Sequence, residues 1–355
     1  MPFPVSSTRR LAVMAVGSNG SRVATVDPAV FFRSSKVLIV AGKGGVGKTT
    51  VSAAMARAAA LSGLSTLIVE VEGKSGLAAL FGREPLGYEE VVLDPGGGPL
   101  GAADIRGRTI TPDEALLEYL RDHGMSRVSK RLLSSGALDV VSTAAPGIRD
   151  ILILGKVKQL ERRGEADLIV IDAPAAGHAV TFLQSASGLA DAVRVGPVRA
   201  QAEEVLELLT DASRCQVVLV TLPEETPVNE VVDTAYSLED RVGIHLGPVV
   251  VNGVYPPLDG LEEDPEKAAA ECGAFLRPGE AGVLAAAASF RLRRSRLQAE
   301  QIARLTEQLP LPQLVLPFRF SPDLDRGDVE GLARALLEQI AQMPELAGDT
   351  TGAES

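Results

Sequence analysis

The run Gly42-Lys43-Gly44-Gly45-Val46-Gly47-Lys48-Thr49 constrains the fold of this chain more than any other feature. It fits G-x-x-x-x-G-K-[ST] at every position, and it joins two different local patterns. Before it, Lys36 to Ala41 is a short β-branched run that reads as a buried strand. After it, Thr49 to Ser62 is alanine-rich and free of proline, which predicts a helix. Strand, glycine loop and helix in that order form a cradle for phosphate. Glycines let the backbone curl so that successive N–H groups face inward, and the helix start adds its positive dipole end. The spacing then assigns roles. Gly42, Gly44, Gly45, Val46 and Gly47 supply the curled backbone, Lys48 reaches the β and γ phosphates, and Thr49 ligates Mg²⁺. Thr50 is placed to donate to the α phosphate. A plain turn has no use for lysine and threonine at this spacing.

Further apolar strands read at Thr66 to Val71, Leu168 to Ile171, Val217 to Leu222, Pro248 to Val251 and Leu314 to Leu316. Continuous apolar runs separated by helical segments indicate a parallel sheet covered on both faces. The stretch after Thr111 departs from that rhythm. Thr111-Pro112-Asp113-Glu114 combines a capping hydroxyl, a first-turn proline and two acids near the positive helix end. Ile148, Ile151, Leu152, Val157 and Leu160 then recur at helical spacing. A helical insertion over about residues 100–165 is the expectation. Residues 256–279 read as a polar connector, and Glu280 to Gln308 as one long helix. The organisation expected is a flexible leader over 1–33, a single folded domain over 34–340 and a disordered polar tail over 341–355. Arg9 and Arg10 before Leu11 to Gly17 faintly imitate an export signal, but no small-residue cleavage pattern follows. A mobile leader, or a start codon assigned too early, is the preferred reading of that stretch.

With 35 basic and 46 acidic side chains the formal charge is -11, which disfavours coating of nucleic acid or of anionic membrane. Cys215 and Cys272 are too few for a disulfide framework and form no CxxC pair, so reduced thiols in the cytoplasm are the simplest reading.

Lys43 makes the loop more discriminating. The run K-G-G-x-G-K-T resembles the deviant Walker A subclass, which includes the ParA and MinD positioning ATPases, the nitrogenase iron protein and the ArsA-type ATPases. In that subclass the extra lysine reaches across a dimer interface to the partner's nucleotide. The resemblance thus implies that Lys43 supplies positive charge where phosphoryl transfer develops negative charge. Asp172 ends the buried run Leu168 to Ile171, where a carboxylate is placed to hold Mg²⁺ through water. Asp172-Ala173-Pro174-Ala175-Ala176-Gly177-His178 resembles the second switch of the ArsA-type family, in which the N–H at the Gly177 position contacts the γ phosphate.

The first switch matches less closely. That family carries Asp-Pro where this chain has Glu72-Gly73, so Glu72 falls on the catalytic aspartate. The longer arm and the looser loop imply slow hydrolysis. Asn252 resembles the family's adenine-contacting asparagine, and Pro317 and Phe318 resemble the loop that closes over the base. Pro146-Gly147-Ile148 resembles a segment at the edge of the family's helical subdomain.

Over about residues 36–340 the chain is thus similar to ArsA-type arsenite-pump and tail-anchored-protein-targeting ATPases. The resemblance implies an α/β fold with a doubly wound, mostly parallel sheet of the P-loop NTPase, SIMIBI-like kind, carrying a helical subdomain insertion. It further implies a cytoplasmic enzyme that binds ATP and Mg²⁺, works as a homodimer or as a heterodimer with a related ATPase, and couples hydrolysis to an apolar helical client. Peripheral membrane association would then run through a partner. Leu116, Leu117, Leu120, Leu132, Leu133 and Ile151 either line a client groove or form ordinary helix core. Neither a structural zinc clasp nor an arsenite thiolate site is expected from two separated cysteines. Two other readings stay open at this point: a ParA/MinD-like positioning ATPase, and a weakly active regulatory half of an ATPase heterodimer.

Overall fold

The apolar runs assemble into one eight-stranded sheet, seen in a computed structural model that describes residues 26–71, 76–97, 101–122, 147–174, 176–193 and 196–343, apart from the side chains of 176–179 and 197. The strands are β1 (Val37–Gly42), β2 (Thr66–Val71), β3 (Val91–Asp94), β4 (Ile105–Ile110), β5 (Leu168–Asp172), β6 (Cys215–Thr221), β7 (Val249–Val254) and β8 (Gln313–Pro317). Their order is β3-β4-β2-β5-β1-β6-β7-β8. Every neighbouring pair is parallel except β3 with β4 at one edge. The doubly wound sheet expected from the sequence is therefore present.

Helices cover both faces. They are α1 (Pro28–Arg33), α2 (Lys48–Leu61), α3 (Gly76–Leu80), α4 (Pro112–Asp122), α5 (Ile148–Arg163), α6 (Ala176–Ala192), α7 (Pro197–Thr210), α8 (Glu225–Val242), α9 (Pro265–Cys272), α10 (Glu280–Gln308) and α11 (Arg326–Ile340). Side chains alternate across a strand, so β1 serves two cores. Val37, Ile39 and Ala41 pack into the layer made by α5 to α8. Leu38 and Val40 pack into the opposite layer with α2 and α11. That double burial is why the strand reads as an unbroken apolar run. The alanines of α2 (Ala53, Ala54, Ala56, Ala58, Ala59 and Ala60) are fully buried, and their small side chains let the helix lie close to the sheet.

The structure revises three sequence boundaries. The leader was expected to reach residue 33, but α1 is capped by Asp27, which accepts from the Ala29 N–H at 2.9 Å, and it buries Phe32. Residues 1–25 and 344–355 lie outside the described residues. The helical insertion does not start near residue 100, because Ile105–Ile110 is a sheet strand, and α4 begins at Pro112. The connector over 256–279 contains α9, whose cap Asp264 accepts from the Glu266 and Lys267 N–H groups. Of the leucines proposed for a groove, Leu117 and Leu120 are buried with Ile151, whereas Leu132 and Leu133 lie outside the described residues. No helix among the described residues is long and apolar enough to cross a membrane.

Candidate active site

Strands β5 and β6 flank β1, so the chain crosses from one half of the sheet to the other beside it. Crevices of this kind, at the carboxyl ends of strands where the order reverses, are where open α/β sheets bind ligands. The glycine loop emerges there and runs directly into α2. Gly45 and Gly47 hold φ of +86° and +87°, the left-handed region open chiefly to glycine. A side chain at Gly42 would strike the Val220 carbonyl oxygen at 2.3 Å, so β6 requires glycine at that position as well. Gly47 caps α2 without a side-chain hydrogen bond, and no acidic residue occupies the helix's first turn. The positive dipole end of that turn therefore suits an anion.

Lys48 Nζ donates to the Lys43 carbonyl at 3.0 Å and so bridges the loop. Thr49 Oγ1 donates to Asp172 Oδ2 at 2.7 Å, and Ser52 Oγ donates to Asp172 Oδ1 at 3.2 Å. Thr49 and Ser52 lie three residues apart on α2 and therefore share a face. Asp172 ends β5 beside Val40 of β1, which brings the carboxylate to the loop despite 123 residues of separation. A hydroxyl and a carboxylate so placed are hard oxygen donors of the type that suits Mg²⁺.

Glu70 stands next to Asp172 in the β2–β5 register and next to Thr109 in the β2–β4 register. It is 2% exposed, and Thr109 Oγ1 donates to its Oε2 at 3.0 Å. Its Oε1 has no partner among the described residues. Burial pushes the Glu70 carboxyl above its usual pKa; the Thr109 bond opposes that rise and the Asp172 charge adds to it.

Lys43 turns away from the loop. Its Nζ meets Glu230 Oε1 of α8 at 2.5 Å. Asn252 Nδ2 donates to the Val46 carbonyl at 2.9 Å, tying the end of β7 to the glycine loop. The Asn252 amide that the sequence assigned to an adenine edge thus has a loop contact in this structure. Beyond it, Phe318 N–H donates to the Val254 carbonyl at 2.8 Å, and the rings of Tyr255, Phe318 and Phe320 pack edge to face or tilted at 4.8–5.5 Å. Arg291 covers Tyr255 and Phe320 at 4.4 and 4.9 Å. Pro317 closes β8 just before Phe318.

Comparison with known proteins decides what kind of machinery this is. The family model for anion-transporting ATPases, ArsA, matches residues 35–194. ATPase BagA of Mycobacterium tuberculosis is 33% identical over 323 residues, covering 85% of this chain and 92% of that protein. The chain belongs to the ArsA family of ATPases. Two other relatives are more distant. ATPase GET3B of Arabidopsis thaliana is 23% identical over 292 residues, covering 70% of this chain and 71% of that protein. The arsenical pump-driving ATPase of Escherichia coli is 27% identical over 219 residues, covering 61% of this chain and 34% of that protein.

In this ArsA-family ATPase the structure brings Gly42 to Thr50, Asp172 and Asn252 together at one end of the sheet. Gly177 falls in the first turn of α6, directly after β5. Glu72 lies outside the described residues, as do the side chain of His178 and Pro146. Sequence reasoning missed Ser52, whose place one turn after Thr49 was a usable signal. It also missed Glu230, which pairs with Lys43 across 187 positions and has no local signature.

Proposed function

We propose that this ArsA-family ATPase binds Mg²⁺-ATP in the loop Gly42 to Thr50, hydrolyses it as a dimer, and couples nucleotide state to a client held by its helical layer. The observation that carries the reading is the Thr49–Asp172 contact at 2.7 Å, with Lys48 bridging the same loop. Lys48 then holds the β and γ phosphates, and the N–H groups at the start of α2 hold the rest of the chain of phosphates. Thr49 and Asp172 hold the metal, Asp172 through water; a bound Mg²⁺ neutralises the charge that develops on the transferred phosphoryl group. Glu72 orients the attacking water, and Gly177 contacts the γ phosphate. Asn252, Pro317 and Phe318 receive the base, with Phe318 offering a ring 40% exposed.

The partner is a second copy or a related ATPase, and the client is an apolar helix. Two unpaired thiols, Cys215 buried and Cys272 exposed, support a reducing, cytoplasmic setting. Burial pushes the Cys215 thiol up to about 12, which suits a core residue and not a reactive one.

Turnover of the purified chain with and without Mg²⁺ tests the reading. Metal-dependent hydrolysis that falls at least about 100-fold in Lys48→Ala is the expected result. Turnover retained in that variant contradicts it.

A further inference from the structure

Lys43 and Lys48 share one short loop, yet their ammonium groups take different partners. Lys48 folds back over the loop to the Lys43 carbonyl. Lys43 points outward to Glu230 Oε1 at 2.5 Å. Glu230 sits in the second turn of α8, and that helix is held in place from another side. Arg304 of α10 donates to the Glu225 carbonyl at 3.1 Å and to Asn229 Oδ1 at 2.9 Å. Arg294 of α10 pairs with Glu224, the residue that precedes α8. The helix that carries the carboxylate is therefore anchored by α10, whereas the lysine is carried by the glycine loop itself.

The two side chains are 38% and 40% exposed. An ion pair that wet is weak and readily exchanged, and a triphosphate offers a denser negative charge than one carboxylate. We infer that Glu230 is a positioning residue: it stores the Lys43 ammonium outside the phosphate cradle, and the terminal phosphate of a bound nucleoside triphosphate takes the ammonium over. This rests on the nucleotide-binding reading above and adds to it the residue from which Lys43 must be released. The phosphate belongs either to the nucleotide in the same loop or to that of a second chain.

The test is acylation of Lys43 in the full-length chain, read by mass spectrometry, because the exposed pair is open to a small amine reagent. Without nucleotide, Glu230→Gln is expected to acylate Lys43 several-fold faster than the unaltered chain, and Glu230→Asp to stay near the unaltered rate. With Mg²⁺ and a slowly cleaved ATP analogue, Lys43 becomes protected, at several-fold lower analogue concentration in Glu230→Gln; ADP protects neither. Protection that disappears on dilution of the protein assigns the phosphate to a second chain, and protection independent of dilution assigns it to the same chain. Equal acylation of the two forms without nucleotide, or equal analogue midpoints, overturns the inference. A chain that binds no analogue in direct titration overturns the nucleotide reading and the handover together, and is recognised by Glu230-dependent acylation that no nucleotide alters.

Discussion

A methyl group on Gly47 would meet two obstacles at once. The backbone there lies at φ +87°, and the new Cβ would come within 2.3 Å of Asn252 Nδ2. Left-handed backbone costs a non-glycine residue about 1–2 kcal/mol, and displacing Asn252 also loses its bond to the Val46 carbonyl. Gly47→Ala is therefore expected to lower unfolding free energy by about 2–3 kcal/mol and to weaken ATP binding; denaturant unfolding and nucleotide titration check both. Stability equal to the parent's would mean that Asn252 does not pin the loop. Glu70 presents the opposite case. Its buried carboxyl has one oxygen without a partner among the described residues, and Asp172 stands beside it. Glu70→Gln keeps an acceptor for Thr109 and removes the charge. A gain of up to about 2 kcal/mol at neutral pH is expected in urea unfolding, and a clear loss would show that the charged form is needed for the fold.

At the scale of elements, strands were legible where the residues filling the buried positions are themselves apolar. β1, β2, β5, β6 and β7 read as apolar runs because both their faces pack into helical layers, and β8 because Leu314 and Leu316 fill one of those layers. β4 escaped because its centre is Arg106-Gly107-Arg108-Thr109. The chain hides these polar groups with tertiary partners that no local pattern encodes: Arg108 stacks over Tyr88 at 4.5 Å, and Thr109 bonds to Glu70. β3 escaped because it is short and leaves Val91 and Val92 exposed. The phosphate loop was legible residue by residue, since its chemistry fixes the spacing, whereas Glu230 was invisible because its partner is remote in sequence.

The entry to β5 carries a pH-dependent contact. Ser65 N–H and Oγ donate to Asp167 Oδ2 at 2.9 and 2.8 Å, and these bonds hold the Asp167 carboxyl below its ordinary 3.8. A depressed carboxyl stabilises the fold above its unfolded value, and that stability is lost as pH falls through the folded value. Asp167→Asn should thus cost up to about 1 kcal/mol at neutral pH, discounted for solvent exposure. The gap between the two proteins should close below pH 3.8 in thermal melts across pH. A gap unchanged into acid would mean that the charge is not what Ser65 recognises.

Across the whole molecule, a rigid sheet places chemistry from distant segments at one rim: the loop after β1, Asp172 after β5 and Asn252 near the end of β7. Opposite requirements meet there. The cradle is lined with positive groups that gain most from a polyanion, and the nearby carboxylates gain most from a cation. Thr49, Lys48 and Lys43 are each held by a protein oxygen in this structure, and each has to exchange that oxygen for ligand. A crystal structure with Mg²⁺ and a slowly cleaved ATP analogue tests that exchange most directly. The triphosphate should lie in the loop Gly42 to Thr49, with Thr49 Oγ1 transferred from Asp172 to the metal and Lys48 Nζ transferred from the Lys43 carbonyl to phosphate. An analogue bound elsewhere, with the Thr49–Asp172 and Lys48–Lys43 contacts intact, would contradict the account.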